Sequence, residues 1–155
     1  MIDTPEIVTT QAQKTACIHL VVARDQIRHV MGPGLAEVTA ALQAQGISPV
    51  GPWFTHHLRK PADTFDFEIC VPIEGDVTPV GRVVPGTLPA TTVARTIYRG
   101  PYEGLGGAWA QFQNWIFTNG YEPAAELWER YLSGPGSGSD PSKWETELNR
   151  PVTKT

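Results

Sequence analysis

Apolar and polar positions along the chain predict a series of β-strands. Strand-length runs rich in β-branched or apolar residues occur at residues 7–11, 17–23, 52–58, 65–73 and 91–99. The clearest alternation puts Phe65, Phe67 and Ile69 on one face of a strand and Asp66 and Glu68 on the other. A strand of this kind belongs to a sheet that buries one face.

Helical periodicity follows the strand pattern in each half of the chain. A short helix over residues 26–31, capped by Asp25, is predicted to end at the glycine-proline-glycine run of residues 32–34. A second helix is predicted over residues 35–45, and a longer one over residues 102–119. Both longer helices are followed by a glycine, which is a typical stop signal.

The second half of the chain repeats the first. A shift of 74 positions aligns residues 46–58 with residues 120–132, and a shift of 79 aligns residues 65–73 with residues 144–152. The five extra positions lie in the glycine- and serine-rich segment 133–143. The chain therefore consists of two related structural units.

Two such repeats predict one α+β domain over residues 1–155, with tandem β-α-β-β pseudo-repeats at about residues 6–81 and 82–152. We expect one curved antiparallel sheet that carries the two main helices on one face. The concave side between the two halves is the expected ligand cleft, because binding sites favour concave junctions of structural units.

Charge and composition narrow the possible partners. The 155 residues carry a formal net charge of -4, the wrong sign for direct binding to a nucleic-acid backbone. No apolar stretch reaches membrane-spanning length, and the first residues lack the pattern of a secretory signal. We therefore expect a cytoplasmic protein with neither nucleic acid nor membrane as a direct partner.

The cysteines and histidines show no metal-binding pattern. Cys17 and Cys70 each lie in an apolar run, which predicts two reduced, buried thiols. His56 and His57 are adjacent in a strand and so point to opposite faces. No metal and no cofactor are expected.

Two familiar catalytic motifs are also missing. The glycines after Glu103 do not complete a dinucleotide-binding motif, because the third glycine position is Trp109. The segment around Ser137 and Ser139 has no nucleophile elbow, so a serine hydrolase of that type is disfavoured.

One predicted strand, residues 127–132, carries candidate chemistry. Its alternation puts Glu129 and Tyr131 side by side on one face and Trp128 and Arg130 on the other. A partly desolvated Glu129 would have a raised pKa and could act as a base or as a countercharge for an organic cation. The alternative is a solvated glutamate on an edge strand.

Several segments resemble one known family, the GyrI-like small-molecule-binding domain with its SOUL/BmrR-like fold. They are GISPVGPWF (46–54), FDFEICVPI (65–73), VARTIYRGPYEGLGGAW (93–109) and WERYLSGPGSGSDPSKWETELNRPV (128–152). The most specific parts are G-P-Y-E at 100–103, E-x-Y-L at 129–132 and T-E-x-x-x-P at 146–151. The family includes the effector-binding modules of BmrR-type and AraC-type regulators.

This resemblance implies an aromatic cleft that holds lipophilic, often cationic, compounds against a buried glutamate. Glu129 stands at the position of that glutamate, and Tyr131 stands beside it. The repeats already span residues 6–152, so we expect a stand-alone module without a helix-turn-helix reader. On the first-repeat side, Thr55 and His57 are predicted to make the cleft more polar than a purely cation-selective one.

Two functions remain open. The first is a stand-alone module that senses or sequesters an aromatic small molecule, cationic or neutral, such as a drug or effector. Glu129 would be the countercharge, and the candidate contact residues are Trp53, Thr55, His57, Tyr98, Trp109 and Tyr131. The alternative is a hydrolase of strained electrophiles such as cyclopropane-bearing toxins, with Glu129 as general base and Tyr131 or Tyr98 as hydrogen-bond donor. A protein partner of unknown identity is a weaker third possibility.

Overall fold

The computed structural model describes residues 2–134 and 140–155, and the chain divides into two compact units. The first, here called the N-unit, is Gln11–Ala90. The second, here called the C-unit, combines Met1–Thr10 with Thr91–Thr155. Residues 135–139, which include Ser137 and Ser139 of the predicted loop, lie outside the described part of the chain.

Strands and helices alternate along the chain. In order they are β1 (Glu6–Thr9), β2 (Gln13–Ala23), α1 (Ile27–Ala44), β3 (Phe54–His57), β4 (Thr64–Pro72), β5 (Val84–Leu88), β6 (Thr92–Arg99), α2 (Leu105–Thr118), β7 (Tyr121–Pro123), β8 (Leu127–Tyr131) and β9 (Glu145–Lys154). Three short 3₁₀ segments lie at Arg24–Gln26, Tyr102–Gly104 and Pro141–Lys143. No helix in the described ranges has both the length and the apolar character needed to cross a membrane.

The N-unit is an antiparallel sheet with the order β3-β4-β2-β5, and α1 packs on one of its faces. The predicted alternation in β4 is confirmed, because Phe67, Ile69 and Val71 belong to the core that α1 covers. Cys17 and Cys70 are buried free thiols, as expected.

Helix α1 runs without interruption through Pro33, so the predicted break at residues 32–34 is wrong. Asp25 lies in a 3₁₀ turn, and its side chain caps neither that turn nor α1. Proline removes one hydrogen bond from a helix interior. The buried face of α1, which includes Val38 and Leu42, compensates for this loss, because tertiary packing supplies most of the stability of a protein helix.

Gly34 lets α1 approach the sheet closely. A Cβ atom at this position would collide with Cδ1 of Ile69 and lie 3.1 Å from Cδ1 of Ile18. We expect Gly34→Ala to lower the free energy of unfolding by about 1–2 kcal/mol through overpacking. Gly107→Ala in α2 is the control, since a Cβ atom there would meet nothing within 4 Å, and it should raise stability by about 0.5–1 kcal/mol. Urea unfolding measures both, and an unchanged stability for Gly34→Ala would contradict the close approach.

The C-unit has the corresponding order β1-β6-β9-β8, with α2 packed on one face. Its core joins Phe112 and Ile116 of α2 to Ala94 and Leu148 of the sheet. The short strand β7 pairs with the end of β9, beyond the stretch that pairs with β8. Both units thus have the antiparallel α+β architecture that the sequence predicts.

The strand registers confirm the internal repeat. Phe54 lies opposite Cys70 in the N-unit, and Trp128 lies opposite Asn149 in the C-unit. The shift of 74 relates Phe54 to Trp128, and the shift of 79 relates Cys70 to Asn149, so the paired strands keep the same register in both units. The boundaries of the compact units differ from the predicted repeat limits, because β1 pairs with β6 and β5 pairs with β2. Each unit is therefore completed by an edge strand that the linear repeat assigns to the other half.

Candidate functional site

Glu129 lies in β8 on the face that α2 covers. It pairs across the ladder with Leu148, which belongs to the core around α2. Because successive side chains in a strand point to opposite faces, Tyr131 shares the face of Glu129. The predicted side-by-side placement of these two residues is therefore present.

Two hydrogen bonds hold the Glu129 carboxylate. Nε1 of Trp109, from α2, donates to Oε2 at 2.6 Å, and the Tyr131 hydroxyl donates to Oε1 at 2.7 Å. No lysine, arginine or histidine of the described residues forms an ion pair with this carboxylate. The carboxylate thus has hydrogen-bond donors but no countercharge.

The surroundings of Glu129 favour its neutral form. Burial raises the pKa of the Glu129 carboxyl, and the hydrogen bonds from Trp109 and Tyr131 oppose this only in part. The residue nevertheless keeps partial exposure to solvent. A carboxyl group that is surrounded by protein and still reachable from solvent is suited to meet a ligand.

The raised pKa has a predictable effect on stability. The folded protein holds the Glu129 proton more tightly than the unfolded chain does. Protonated Glu129 therefore contributes to the free energy of unfolding in full below the ordinary glutamate pKa, and this contribution is lost as pH rises through the pKa of Glu129 in the folded protein. Glu129→Gln removes the titration. As pH rises above the ordinary pKa of a glutamate, the melting temperature of wild type should therefore fall relative to the melting temperature of Glu129→Gln. Glu122→Gln, at an exposed position, is the control, and parallel pH profiles for wild type and Glu129→Gln would contradict the raised pKa.

An aromatic cluster adjoins the carboxylate. The Tyr102 ring lies 5.9 Å from the Tyr131 ring and 5.1 Å from the Trp144 ring, measured between centroids. Burial and the negative charge of Glu129 raise the pKa of the Tyr102 hydroxyl, which places it within the field of the carboxylate. Neither Tyr102 nor Trp144 was among the predicted site residues, although Tyr102 lies within the G-P-Y-E segment.

Two buried polar atoms near this cluster have no partner among the described residues. They are Nε1 of Trp144 and Oγ1 of Thr146. Thr146 lies directly opposite Tyr131 in the ladder and therefore on the same face of the sheet as Glu129. Buried polar atoms are normally hydrogen-bonded, so these two are candidates for contact with water or a ligand.

Tyr98 lies in β6, opposite Thr146, and its ring belongs to the C-unit core. Its hydroxyl donates to the carbonyl of Pro101 at 2.8 Å. Tyr98 therefore supports the turn that leads to Tyr102, with its hydroxyl already engaged.

The other three predicted contact residues lie in the N-unit. Trp53 packs against the N-unit core, and Thr55 is buried in β3. His57 stacks on Phe67 with 5.2 Å between ring centroids, and burial lowers its pKa to about 4. Thr55 and His57 occupy the register positions that Glu129 and Tyr131 occupy in the C-unit. A ligand contact for these three stays a prediction.

Comparisons with known proteins agree with this architecture. The profile of a family described as the GyrI-like small molecule binding domain matches residues 3–153. No curated protein matches the sequence significantly.

Solved structures share the fold at low sequence identity. The crystal structure of the EcmrR C-terminal domain superimposes with a TM-score of 0.87 at 22% identity, over 98% of both chains. The full EcmrR chain in a DNA complex is longer, and this chain spans 58% of it. SAV2435 bound to tetraphenylphosphonium has a TM-score of 0.67 at 12% identity, over 97% of this chain and 94% of that one. A hydrolase from Listeria innocua has a TM-score of 0.66 at 16% identity, over 96% and 91%.

The profile match extends over almost the whole chain, and the antiparallel α+β units and the shared fold agree with it. The chain belongs to the family of GyrI-like small-molecule-binding domains.

Proposed function

We propose that the C-unit binds a lipophilic organic cation against Glu129, and that the protein senses or sequesters such compounds. The observation that carries this proposal is the unpaired, buried carboxylate. Glu129 accepts hydrogen bonds from Trp109 and Tyr131 but has no cationic partner among the described residues.

The energetics favour a cation as the missing partner. Ionising a buried carboxyl group without a countercharge is unfavourable, and for this reason burial raises the pKa of Glu129. A bound cation supplies the countercharge in a region of low dielectric, where the attraction is stronger than in water. The ligand thus gains affinity from a charge that the free protein leaves unpaired.

The aromatic rings supply the rest of the recognition. Tyr102 lies within aromatic contact distance of both Tyr131 and Trp144, so the three rings offer apolar area and electron-rich faces to a cation. The unpartnered atoms of Trp144 and Thr146 can also donate hydrogen bonds to an acceptor on the ligand. Together these groups fit an aromatic, amphipathic cation better than a small hydrophilic one.

The solved relatives support this ligand class. SAV2435, which shares the fold, was determined with tetraphenylphosphonium bound. The match to the EcmrR C-terminal domain supports a sensing role, because that domain is part of a protein that forms a complex with DNA. We infer that this chain supplies the ligand-binding part of such a response and does not itself contact nucleic acid.

Charge selectivity tests the proposal. Tryptophan fluorescence of the wild-type chain should report saturable binding of tetraphenylphosphonium at micromolar concentration. Triphenylphosphine oxide has similar aromatic groups but no net charge, and it should bind at least about tenfold more weakly because it cannot pair with Glu129. Equal affinity for the two compounds would contradict the role of Glu129 as countercharge.

The same site has a second candidate function, a hydrolase of strained electrophiles. A raised pKa suits Glu129 as a general base, and Tyr131 is hydrogen-bonded to it. Glu129 would take a proton from water while the water oxygen bonds to a cyclopropane carbon. The breaking ring bond would then leave its electron pair on a conjugated carbonyl oxygen, which a tyrosine hydroxyl can stabilise.

Mass spectrometry separates the two functions. A hydrolase converts a cyclopropane-bearing aromatic compound to a product heavier by one water, and Glu129→Gln should abolish this conversion. Recovery of the compound unchanged after incubation with wild-type protein would exclude this candidate for that compound and leave the binding function.

A further inference from the structure

The N-unit carries a cluster of metal-ligating side chains on the face of its sheet opposite α1. Cys17 of β2 lies directly opposite Cys70 of β4, and Glu68 is two residues before Cys70 on the same face of β4. The two sulfur atoms and one oxygen of Glu68 all lie within 4.8 Å of one another. Register, rather than closeness in sequence, brings these three side chains together.

We propose that Cys17, Cys70 and Glu68 bind a thiophilic divalent cation of the Zn²⁺ or Cd²⁺ class. Two thiolates and a carboxylate form a ligand set that favours such ions over Mg²⁺ or Ca²⁺, which prefer oxygen ligands alone. Three protein ligands would leave a fourth tetrahedral position for water or another small ligand.

The separation between Cys17 and Glu68 already fits tetrahedral coordination. From ordinary bond lengths to zinc, a sulfur and an oxygen ligand should lie about 3.6 Å apart, and two sulfur ligands about 3.8 Å. Sγ of Cys17 and Oε2 of Glu68 are 3.7 Å apart. The other two separations are no greater than 4.8 Å, so side-chain adjustment can bring the three groups to a common cation.

His56 positions the carboxylate from the neighbouring strand. Nδ1 of His56 lies 3.4 Å from Oε1 of Glu68, which leaves Oε2 directed to Cys17. Such outer contacts orient metal ligands in proteins. The Glu68 side chain is 29% exposed, whereas both cysteines are 2% exposed, so a cation can enter past Glu68.

The C-unit carries a different set of side chains at the positions equivalent to this cluster. The equivalents are Arg95 for Cys17, Asn149 for Cys70, Glu147 for Glu68 and Arg130 for His56. There Glu147 lies 3.4 Å from the Arg95 guanidinium and 3.5 Å from that of Arg130. In the described part of the N-unit, neither a lysine nor an arginine pairs with Glu68. A metal cation beside Cys17 and Glu68 would therefore occupy the place that the Arg95 guanidinium takes in the C-unit.

Cadmium titration of the reduced 155-residue chain tests the site. Cd²⁺ added to wild-type protein should give the ultraviolet charge-transfer band of thiolate-bound cadmium, saturating at one equivalent. Cys17→Ser and Cys70→Ser should each reduce this band, and Glu68→Gln should weaken Cd²⁺ binding by about tenfold or more. Glu74→Gln, exposed in the same unit, is the matched control and should bind as wild type does.

The partly exposed position of Glu68 makes Glu68→Gln informative even if a cysteine variant fails to fold. Circular dichroism identifies any variant that is unfolded. A folded wild-type protein without the charge-transfer band would overturn the proposal, and so would a Glu68→Gln variant with unchanged affinity. Because the cadmium titration involves neither Glu129 nor tetraphenylphosphonium, its result does not depend on the proposed organic-cation site.

Discussion

The Glu129→Gln variant is expected to bind tetraphenylphosphonium about 30-fold more weakly than wild type. Glutamine keeps the size of the side chain and can still accept a hydrogen bond from Trp109 or Tyr131, but it has no charge. Removing one charge from a buried pair costs about 2 kcal/mol or more, which corresponds to this loss. Isothermal titration calorimetry at neutral pH measures the difference directly.

Two comparisons make the result specific to charge. Glu122→Gln, exposed on β7, should bind as wild type does. Wild-type affinity should rise with pH through the raised pKa of Glu129, because only the ionised form pairs with a cation, whereas Glu129→Gln should show no such rise. Wild-type affinity in Glu129→Gln would show that the ligand lies elsewhere.

His57 is expected to make the N-unit sensitive to acid. Burial, with a smaller contribution from the neighbouring His56, lowers the His57 pKa from 6.5 to about 4. The unfolded chain therefore binds a proton between these values that the folded chain does not. The contribution of neutral His57 to the free energy of unfolding is fully present above the pKa that His57 has in the unfolded chain. As pH decreases from 7 to 4, this contribution falls by about 3 kcal/mol.

The difference between wild type and His57→Leu isolates this contribution. Leucine retains apolar packing against Phe65 and Phe67 and cannot be protonated. Urea unfolding across the pH range should therefore show a shallower loss for His57→Leu. His29→Leu, at an exposed position on α1, should leave the acid-induced loss in place. Equal slopes for wild type and His57→Leu would contradict a neutral, desolvated imidazole.

Local alternation was sufficient to predict the centre of the candidate site. Glu129 and Tyr131 are two residues apart in a strand, so their common face follows from strand geometry alone. The structure adds the hydrogen bond between them, at 2.7 Å, and the one from Trp109. The repeat shifts were equally reliable, since together they map the β3–β4 register of the N-unit onto the β8–β9 register of the C-unit.

Features that depend on long-range pairing were harder to predict. Alternation shows that β1 is a strand but not that it pairs with β6, nor that β5 pairs with β2. Likewise, Pro33 is a break signal in isolation, and only the packing of α1 on the sheet explains why the helix continues.

The residues of the two proposed sites that the sequence did not suggest have the same explanation. Tyr102 lies in a 3₁₀ segment and Trp144 at the end of another, where no periodicity shows which face they join. Cys17 and Cys70 are too far apart in the chain to form a ligand-spacing motif, and the β2–β4 register alone makes them neighbours.

A crystal structure of the chain with tetraphenylphosphonium tests the central claim most directly. The phosphonium centre should lie beside the Glu129 carboxylate and within about 6 Å of the ring centroids of at least one of Tyr102, Tyr131 and Trp144. A cation bound away from Glu129, with this carboxylate still held only by Trp109 and Tyr131, would contradict the account.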